Sequence, residues 1–310
     1  MNFFEQNKEI PNQSLGVING HSLFIKREDL LHPNVSGNKF RKLKYIFKEI
    51  VSQKVPVVAT FGGAFSNHLS ATAAIGKELG LKTIGFVRGE EWQNKIDKNS
   101  TLSYCHSQKM KLVCISRQAY TKKESSLDVI KILKQFPKFR LIPEGGSEIL
   151  GVKGCSEILT IKDLKFDVIC SSVGSGGTIA GLIKSSSKNQ KVLGFNALKN
   201  PSVNGVISTY THKKNWEINS NFIFGGFAKT SPALIKFINS FYQKYQIPLD
   251  PIYTGKMLFA IFELIKNNQW RWGKKILAIH TGGLQGVTGI NQKLKKKKSQ
   301  TLLYSEDFLK

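Results

Sequence analysis

The chain has 310 residues, 41% of them apolar, so it is long enough for two domains, or one large α/β domain, with a buried core. Lys and Arg number 46 against 21 Asp and Glu, and the formal net charge of +25 raises nucleic acid or an anionic membrane surface as partners. Lysine is spread through the whole chain, so we interpret the charge as a compositional bias and expect no nucleic acid and no membrane as partners.

The cysteines and the amino terminus indicate the cellular compartment in which the protein is expected. The four cysteines show no Cys-x-x-Cys or Cys/His spacing, so no metal site is predicted, and two lie in strand-like runs typical of buried free thiols. The amino terminus lacks the pattern of a signal or transit peptide, and no apolar run reaches membrane-spanning length. These features favour a protein of the reducing cytoplasm.

Strand-like apolar runs recur along the chain, and helix-like stretches lie between many of them. Residues 38–53 carry Phe40, Leu43, Phe47 and Ile50 on one helical face. This alternation predicts an α/β fold whose parallel sheets are flanked by helices. The strand-like runs are SLFIKR, VPVVATF, KTIGFVR, KLVCIS, FRLIP, FDVICSSV, KVLGFNAL and KILAIHT.

The first unusual stretch is REDLLHPNVSGNKFRKLKYIF, in which four basic residues, Lys39, Arg41, Lys42 and Lys44, follow a Ser-Gly-Asn turn. A solvated helix face, a patch for an acidic polymer and a single reactive lysine are the three interpretations. Helical spacing does not choose among the lysines, because Lys39 and Lys42 share one face.

The next loop, TFGGAFSNHLSATAA, ends one predicted strand and begins a helix. Ser66 and Asn67 are natural helix N-caps, but capping accounts for only one polar residue of this group. Ser66, Asn67 and His68 also follow the carboxyl end of a strand, where open α/β sheets bind ligands. His68 alone is weak evidence, since a lone histidine is more often structural.

The loop in DVICSSVGSGGTIAGL joins an apolar strand to a helix through a glycine-rich turn. Glycines let backbone N–H groups converge on an anion, and the helix start adds its positive dipole end. Ile179 breaks the dinucleotide pattern and a Walker lysine is absent, so a compact phosphate is favoured over an unliganded turn. The candidate residues are Gly174, Ser175, Gly176, Gly177 and Thr178.

Three later segments complete the chain. DPIYTGKM places Tyr253 and Thr254 in a turn before a helix, and AIHTGGLQG places Thr281 at a strand end before glycines. Tyr and Thr at such turns usually serve packing and capping. The run Lys293–Lys298 is interpreted as the start of a solvated, mobile terminus, with a polyanion-binding arm as the weaker alternative.

Taken in order, the motifs KREDL…SGNKFRKLKY, GGAFSNH, IPEGGSE, GSGGTIAG, DPIYTGKM and HTGG resemble the pyridoxal-phosphate enzymes of the 1-aminocyclopropane-1-carboxylate deaminase and D-cysteine desulfhydrase family. The resemblance implies the two-domain fold type II of these enzymes, with pyridoxal 5'-phosphate bound between the domains. It implies that 42–150 form a small α/β domain inserted into a large domain made of 1–41 and 151–310. It also leads us to expect a homodimer acting on a small amino acid.

The resemblance assigns roles at individual positions. It makes Lys39 the Schiff-base lysine and leaves Arg41, Lys42 and Lys44 as helix-surface charges. It places the cofactor phosphate on the glycine loop, and Asn67 on the phenolic oxygen of the cofactor ring. Ser66 and His68 are expected at the substrate carboxylate, with Ser66 also catalytic and Asn67 also substrate-binding. The remaining candidates are Tyr253 as a catalytic and substrate-binding residue, and Thr254 and Thr281 near the ring nitrogen.

Three differences from the deaminases favour the desulfhydrase branch. Deaminases of this kind carry Glu where this chain has Thr254, and Thr281 replaces an apolar residue; a neutral hydroxyl holds a protonated ring nitrogen less firmly. "SNH" in place of "SNQ" points the same way. We predict β-elimination on D-cysteine or a similar amino acid, giving pyruvate, ammonia and sulfide, with 1-aminocyclopropane-1-carboxylate deamination to 2-oxobutyrate as the alternative.

Phe227 fits neither branch. Both activities usually place a second active-site tyrosine at this position, and the loss of its hydroxyl removes a hydrogen-bond donor from the substrate pocket. A different D-amino acid, a weakly active homologue and a cofactor-binding protein without turnover therefore remain open alternatives. A basic nucleic-acid-binding protein would explain the charge but not the glycine loop.

Overall fold

The computed structural model describes residues 3–5 and 9–304, which form two β-sheets flanked by helices and confirm the predicted α/β class. In chain order, the strands are β1 Asn12–Ile18, β2 His21–Lys26, β3 Val57–Gly62, β4 Lys82–Arg88, β5 Lys111–Ile115, β6 Arg140–Ile142, β7 Val168–Val173, β8 Lys191–Asn196, β9 Trp216–Asn219 and β10 Lys275–Ile279. The helices are α1 Asn38–Ser52, α2 Asn67–Glu78, α3 Ser100–Ser107, α4 Arg117–Lys122, α5 Leu127–Leu133, α6 Ile149–Cys155, α7 Gly177–Ser185, α8 Val203–Tyr210, α9 Pro232–Tyr245, α10 Thr254–Lys266 and α11 Gly286–Lys296.

The larger sheet has the strand order β1-β2-β10-β7-β8-β9, in which only the β1–β2 hairpin is antiparallel. The smaller sheet has the order β5-β4-β3-β6 and is parallel throughout. Parallel strands present their carboxyl ends at one edge of a sheet. The loops after β3, β6, β7 and β10 therefore lie at the sheet edges where open α/β folds bind ligands.

The predicted strand-like runs all form strands, namely β2 to β8 and β10. The sequence analysis missed β1 and β9, which are the two edges of the larger sheet. In β1 only Leu15 is buried, and in β9 no residue is. An edge strand that buries so little apolar surface carries a weak apolar pattern.

Helix α1 confirms the helix predicted for 38–53. Its stripe of Phe40, Leu43, Phe47 and Ile50 is buried and packs into a core shared with the smaller sheet. Helix formation here comes from the burial of this apolar face, because packing stabilises a helix more than intrinsic propensity does.

The strands of the smaller sheet all come from 57–142, whereas the larger sheet draws on segments before and after it. We therefore propose, in line with the expectation from sequence, that 42–150 form a small domain inserted into a large domain of 1–41 and 151–310. The first boundary falls inside α1, which packs against both parts of the molecule.

The basic run Lys293–Lys298 is solvated, but the expectation of a mobile terminus is wrong for the described part of it. The run includes the last turn of α11, and beyond it Leu302 and Tyr304 are buried. The Tyr304 hydroxyl donates to the carbonyl of Leu249 at 2.5 Å, which fastens this segment to the larger core. Residues 305–310 of the predicted tail lie outside the described residues.

The four cysteines are free thiols, three of them buried and Cys114 half-buried. Burial raises the pKa of the Cys105 thiol to about 12, so this thiol is unreactive at neutral pH. In the described part of the chain, no helix is both long and apolar enough to cross a lipid bilayer.

Candidate active site

The amine of Lys39 lies where the carboxyl edges of the two sheets meet. Lys39 is in the first turn of α1, and the N–H of the adjacent Asn38 donates to the carbonyl of Thr281, in the loop after β10, at 3.2 Å. Lys39 Nζ donates to the carbonyl of Gly145, in the loop after β6, at 3.1 Å. Both sheets therefore contribute to the surroundings of this amine.

Burial holds the pKa of the Lys39 amine well below its usual range, and the neighbouring Lys42 amine lowers it further. A lysine attacks a carbonyl carbon, or accepts a proton, only in its unprotonated form. The lowered pKa therefore favours the form of Lys39 that performs both tasks.

Lys42 is not the helix-surface charge that the sequence analysis expected. Its side chain is 2% exposed, and Nζ donates to the carbonyl of Gly145 at 3.1 Å and to Ser147 Oγ at 2.8 Å. Lys39 and Lys42 lie three residues apart on one face of α1, so both amines point into the same region. Burial also lowers the pKa of Lys42.

Arg41 and Lys44 also differ from the expected free surface charges. Arg41 Nε pairs with Glu28 at 2.9 Å and Lys44 Nζ with Glu157 at 2.6 Å, with the two basic side chains 15% and 18% exposed. These ion pairs connect α1 to Glu28, in the segment after β2, and to Glu157, two residues after the end of α6. Their positions indicate that they orient the helix that carries Lys39.

The glycine loop between β7 and α7 lies against Lys42. Gly176 has a φ of +89°, a left-handed conformation that glycine adopts without strain. A Cβ at Gly177 would lie 3.0 Å from Ser147 Oγ and 3.2 Å from Lys42 Nζ. The absence of this side chain therefore leaves the start of α7 open to an amine and a hydroxyl, a combination suited to an anion.

Polar side chains extend this anion-binding surface. Ser147 Oγ and Ser175 Oγ are 2.5 Å apart, and Asn38 Nδ2 donates to Thr178 Oγ1 at 2.9 Å. A Cβ at Gly145 would lie 3.6 Å from Ser175 Oγ and 3.8 Å from Lys39 Nζ. The glycine loop and the Lys39 amine are thus neighbours.

Three hydroxyls form a second polar group, which we call the hydroxyl trio: Ser172, Thr254 and Thr281. Thr281 Oγ1 lies 3.3 Å from Ser172 Oγ and 3.4 Å from Thr254 Oγ1, and all three residues are buried. Ser172 is at the end of β7, Thr281 follows β10 and Thr254 begins α10. The trio therefore forms because β7 and β10 are adjacent in the larger sheet.

Asp250 holds the turn that presents Thr254. Its carboxylate accepts hydrogen bonds from the backbone N–H groups of Ile252 at 3.0 Å, Tyr253 at 2.6 Å and Thr254 at 2.8 Å. Burial raises the pKa of this carboxyl, while the backbone donors oppose that change. Asp250 thus orients the backbone of the turn and also binds the Thr254 hydroxyl, which lies 3.4 Å from Thr281 Oγ1.

His68 is buried and presents one nitrogen without a partner. The Thr60 hydroxyl donates to the carbonyl of Ile142 at 2.9 Å, so it accepts from His68 Nε2 at 2.8 Å. Nδ1 then carries no proton and presents a lone pair, which has no hydrogen-bond partner among the described residues. Burial, with Lys39 and Lys42 nearby, lowers the pKa of His68 well below its usual range.

This protonation state bears on the role expected for His68. A neutral imidazole that presents a lone pair accepts hydrogen bonds and does not donate one to a carboxylate. A Cβ at Gly146 would lie 3.7 Å from His68 Nδ1, which places the free nitrogen at the loop after β6. The predicted contact with a substrate carboxylate is therefore better suited to Ser66 than to His68.

Ser66 and Asn67 occupy the start of α2. Ser66 is the N-cap, as predicted, and its Oγ accepts from the N–H of Leu69 at 3.3 Å. Both side chains are half-buried, one and two residues before the buried His68. Their predicted ligand contacts remain predictions.

Tyr253 and Phe227 form the aromatic side of the site. A Cβ at Gly174 would lie 3.2 Å from the Tyr253 ring, so this ring covers the start of the glycine loop. The Phe227 ring is 6.4 Å from the Tyr253 ring and is 51% exposed. Phe227 is therefore at the rim, next to a tyrosine whose hydroxyl pKa is raised by burial.

The donor set fits pyridoxal 5'-phosphate, the cofactor that the resemblance implies. The Lys39 amine, with its lowered pKa, suits the aldehyde of this cofactor, and the Lys42 amine with the glycine loop suits its phosphate. The hydroxyl trio suits the ring nitrogen of the cofactor. His68 Nδ1 is buried without a hydrogen-bond partner among the described residues, as expected of a group that binds a ligand.

Sequence reasoning missed several members of this site, for identifiable reasons. Lys42 was hidden among other basic residues on α1, and only its burial separates it from them. Ser172 looked like part of an ordinary strand, although a serine at the carboxyl end of a buried strand was a usable signal. Ser147 stood inside the IPEGGSE motif, where a polar residue after two glycines also hinted at a ligand loop.

A model of the family described as pyridoxal-phosphate dependent enzymes matches residues 9–282. The match spans both sheets and every site residue from Lys39 to Thr281. The cofactor of this family is therefore the one that the site fits.

Curated relatives and solved structures agree with this match. The chain is 32% identical over 299 residues, covering 88% of this chain and 75% of the relative, to the bifunctional D-cysteine desulfhydrase/1-aminocyclopropane-1-carboxylate deaminase of Arabidopsis thaliana. It is 24% identical over 296 residues to a D-cysteine desulfhydrase of Salmonella choleraesuis, covering 85% of this chain and 87% of the relative. The crystal structure of an ACC deaminase homologue superposes with a TM-score of 0.79 at 26% identity, covering 93% and 94% of the two chains.

Proposed function

The chain belongs to the pyridoxal-phosphate-dependent enzymes, and from this premise we propose that it catalyses β-elimination on D-cysteine or a similar amino acid. The reaction takes D-cysteine and water to pyruvate, ammonia and hydrogen sulfide. The names of the Arabidopsis and Salmonella relatives support this substrate class.

The residues of this chain divide the work of the reaction. When bound, pyridoxal phosphate withdraws electrons from the substrate α-carbon, which makes the α-proton acidic. Lys39, whose pKa is lowered by burial and by Lys42, accepts that proton at Nζ. The electron pair of the broken Cα–H bond forms the Cα=Cβ bond as the thiolate leaves, and water hydrolyses the released enamine to pyruvate and ammonia.

Other residues bind and orient. The glycine loop and Lys42 hold the phosphate, the half-buried Asn67 faces the cofactor, and Ser66 binds the substrate carboxylate in this proposal. The ring of Tyr253 covers the glycine loop, with its hydroxyl 3.6 Å from where a Cβ at Gly174 would lie, and in this proposal that hydroxyl contacts the substrate. Anchoring the phosphate leaves Lys39 free to move its proton between substrate and product.

The observation that carries the proposal is the hydroxyl trio. Thr254 and its neighbours offer neutral oxygens where deaminases that this chain resembles carry a glutamate. A neutral hydroxyl stabilises a protonated ring nitrogen less than a carboxylate does, which leaves a weaker electron sink. Elimination needs less stabilisation, because the negative charge departs with the sulfur.

Deamination of 1-aminocyclopropane-1-carboxylate, giving 2-oxobutyrate and ammonia, is the second candidate. The Arabidopsis relative, whose name carries both activities, and the superposed ACC deaminase homologue favour it. Thr254 weakens this candidate for the reason just given, whereas Phe227 departs from the usual tyrosine of both activities.

We also propose that the protein acts in the cytoplasm as a homodimer, on a small amino acid and without nucleic acid or membrane as a partner. The free cysteines of the described chain support a reducing compartment. The net charge of +25 does not come from the site, because burial lowers the pKa values of its lysines Lys39 and Lys42 and so disfavours their charged forms.

The test is a panel of D- and L-amino acids together with 1-aminocyclopropane-1-carboxylate, with pyruvate and 2-oxobutyrate measured as products. We expect pyruvate and sulfide from D-cysteine, and no turnover in Lys39→Ala. A preference for the cyclopropane substrate would replace the leading proposal by the second one. Turnover of neither class would reject both.

A further inference from the structure

Lys256 is a buried lysine outside the groups that hold the cofactor. Its side chain is 2% exposed, although it lies only two residues after Thr254. Nζ donates to the carbonyls of Gly226 at 2.8 Å, Ile223 at 3.0 Å and Ala197 at 3.4 Å. An ammonium has three N–H donors, and all of them are used on main-chain carbonyls.

No carboxylate among the described residues lies within ion-pair distance of Lys256. A buried cation without an ion-pair partner is costly, and burial lowers the pKa of this amine to about 8, although the charge of Asp250 opposes the change. The three hydrogen bonds to main-chain carbonyls offset part of this cost. Two of the three carbonyls belong to one irregular loop, residues 221–230, which we call the Phe227 loop.

The Phe227 loop has an unfavourable backbone conformation. Phe224, Gly225, Gly226 and Ala228 all have φ between +51° and +112°, and two of these residues are not glycine. The N–H of Gly226 donates to the carbonyl of Ile223 at 2.9 Å, which is one of the carbonyls that Lys256 binds. The ammonium therefore stabilises the tight turn that the loop needs.

The same helix turn connects this loop to the site. Tyr253 caps α10, Thr254 begins it and Lys256 is its third residue. One turn later the ring of Phe259 packs on that of Phe224 at 5.1 Å, so the loop rests on α10 through an aromatic contact and the ammonium. Phe227 is thereby held 6.4 Å from Tyr253, ring to ring.

We infer that Lys256 is a positioning residue for substrate recognition, which fixes the Phe227 loop on α10 and so sets the distance between Phe227 and Tyr253. Lys256 touches neither the glycine loop nor Lys39, so its loss acts on substrate binding and leaves cofactor binding intact. The inference rests on the proposed function only for the identity of the substrate; the contact between lysine and loop is independent of it.

The experiment compares the cofactor-loaded wild type with Lys256→Met, which keeps the bulk of the side chain and removes its donors. Hydrogen exchange without substrate is expected to lose at least tenfold protection in the amides of the Phe227 loop, while the glycine loop stays protected. With substrate, KM should rise by about tenfold and kcat should change by less than about twofold. Lys266→Met, an exposed lysine on the same helix, is the matched control and should behave as wild type.

Two further variants keep the inference open to refutation. Lys256→Arg, which restores donors to the carbonyls, should recover most of the loop protection and of the KM. Lys256→Gln, with fewer donors, should fall between Met and wild type, and it decides the matter if Lys256→Met does not fold.

A double variant separates positioning from general stability. In a Phe227→Ala background, Lys256→Met should add little to KM, because the side chain it positions is gone. Unchanged loop protection in a folded Lys256→Met variant, or the same KM change with and without Phe227, would overturn the inference. Because exchange is measured without substrate, failure of the proposed reaction would leave this result readable.

Discussion

At the scale of single residues, Lys39 and Lys42 differ in what surrounds their amines. Both donate to the carbonyl of Gly145, but Lys42 also donates to Ser147 beside the glycine loop. Lys42 is a cause of the lowered pKa of Lys39. The second lysine therefore has two effects, one on the phosphate side and one on the protonation of its neighbour.

Replacing Lys42 by Met should move the reactivity of Lys39 to higher pH. Without the neighbouring charge the pKa of Lys39 rises, so a more alkaline solution is needed to reach the unprotonated amine. The measurement is borohydride trapping of pyridoxal, which lacks a phosphate, followed by mass spectrometry of the labelled peptide across a range of pH. Lys44→Met, whose partner is Glu157, is the control and should leave the profile in place. Label on Lys42 or Lys44 in the wild type, or an unshifted profile, would contradict this assignment.

Replacing Thr254 by Glu should strengthen the electron sink. A carboxylate beside a protonated ring nitrogen makes a charge-assisted hydrogen bond and so stabilises the negative charge that the substrate α-carbon passes to the ring. That charge is then less available to expel the thiolate. We expect β-elimination to slow by about tenfold, equivalent to about 1.4 kcal/mol in the barrier, and a trace of cyclopropane opening to emerge.

The sharper form of this experiment adds Phe227→Tyr, which restores a hydroxyl at the rim. Pyruvate from D-cysteine and 2-oxobutyrate from 1-aminocyclopropane-1-carboxylate are measured for wild type, both single variants and the double variant. We expect the largest gain of 2-oxobutyrate in the double variant. If Thr254→Glu leaves both rates unchanged, this turn does not determine specificity.

At the scale of elements, the backbone of the glycine loop leaves space for the cofactor phosphate. A side chain at Gly177 would enter the space between Ser147 and Lys42. Gly177→Leu should therefore weaken cofactor binding by at least about tenfold, since it blocks N–H groups at the start of α7.

Equilibrium dialysis of the cofactor measures this effect directly. Gly205→Leu is the matched control, because a Cβ at Gly205 would meet nothing within 4 Å and the residue is exposed on α8. Equal cofactor occupancy in the two leucine variants would mean that the loop is only a structural turn.

At the scale of the whole molecule, the net charge of +25 is either a compositional bias or a binding surface for a polyanion. We predict no specific affinity for nucleic acid, because no basic stretch interleaves aromatic residues as a stacking platform does. If the charge were a nucleic-acid footprint, binding to single-stranded and duplex DNA would be tight at low salt and would fall steeply as salt rises; we expect weak binding instead. Fluorescence anisotropy measures it, and sub-micromolar binding at physiological salt would revive the basic-protein interpretation.

The sequence by itself determined the alternation of strands and helices, the apolar face of α1 and the order of the loops that carry polar residues. These features are local, because burial of an apolar stripe and the conformational freedom of glycine leave their pattern in consecutive residues. The Ser66 cap was predictable for the same reason. The edge strands β1 and β9 were not, because they bury little.

Only the tertiary structure decided which charges are buried and which polar groups meet. Lys42 and Lys256 read like surface lysines in the sequence, and their burial depends on segments more than twenty-five residues away. The hydroxyl trio exists because β7 and β10 are neighbours in the sheet although about a hundred residues separate them in the chain. Long-range packing sets the pKa of Lys39 and the partners of these side chains, and consecutive residues do not record it.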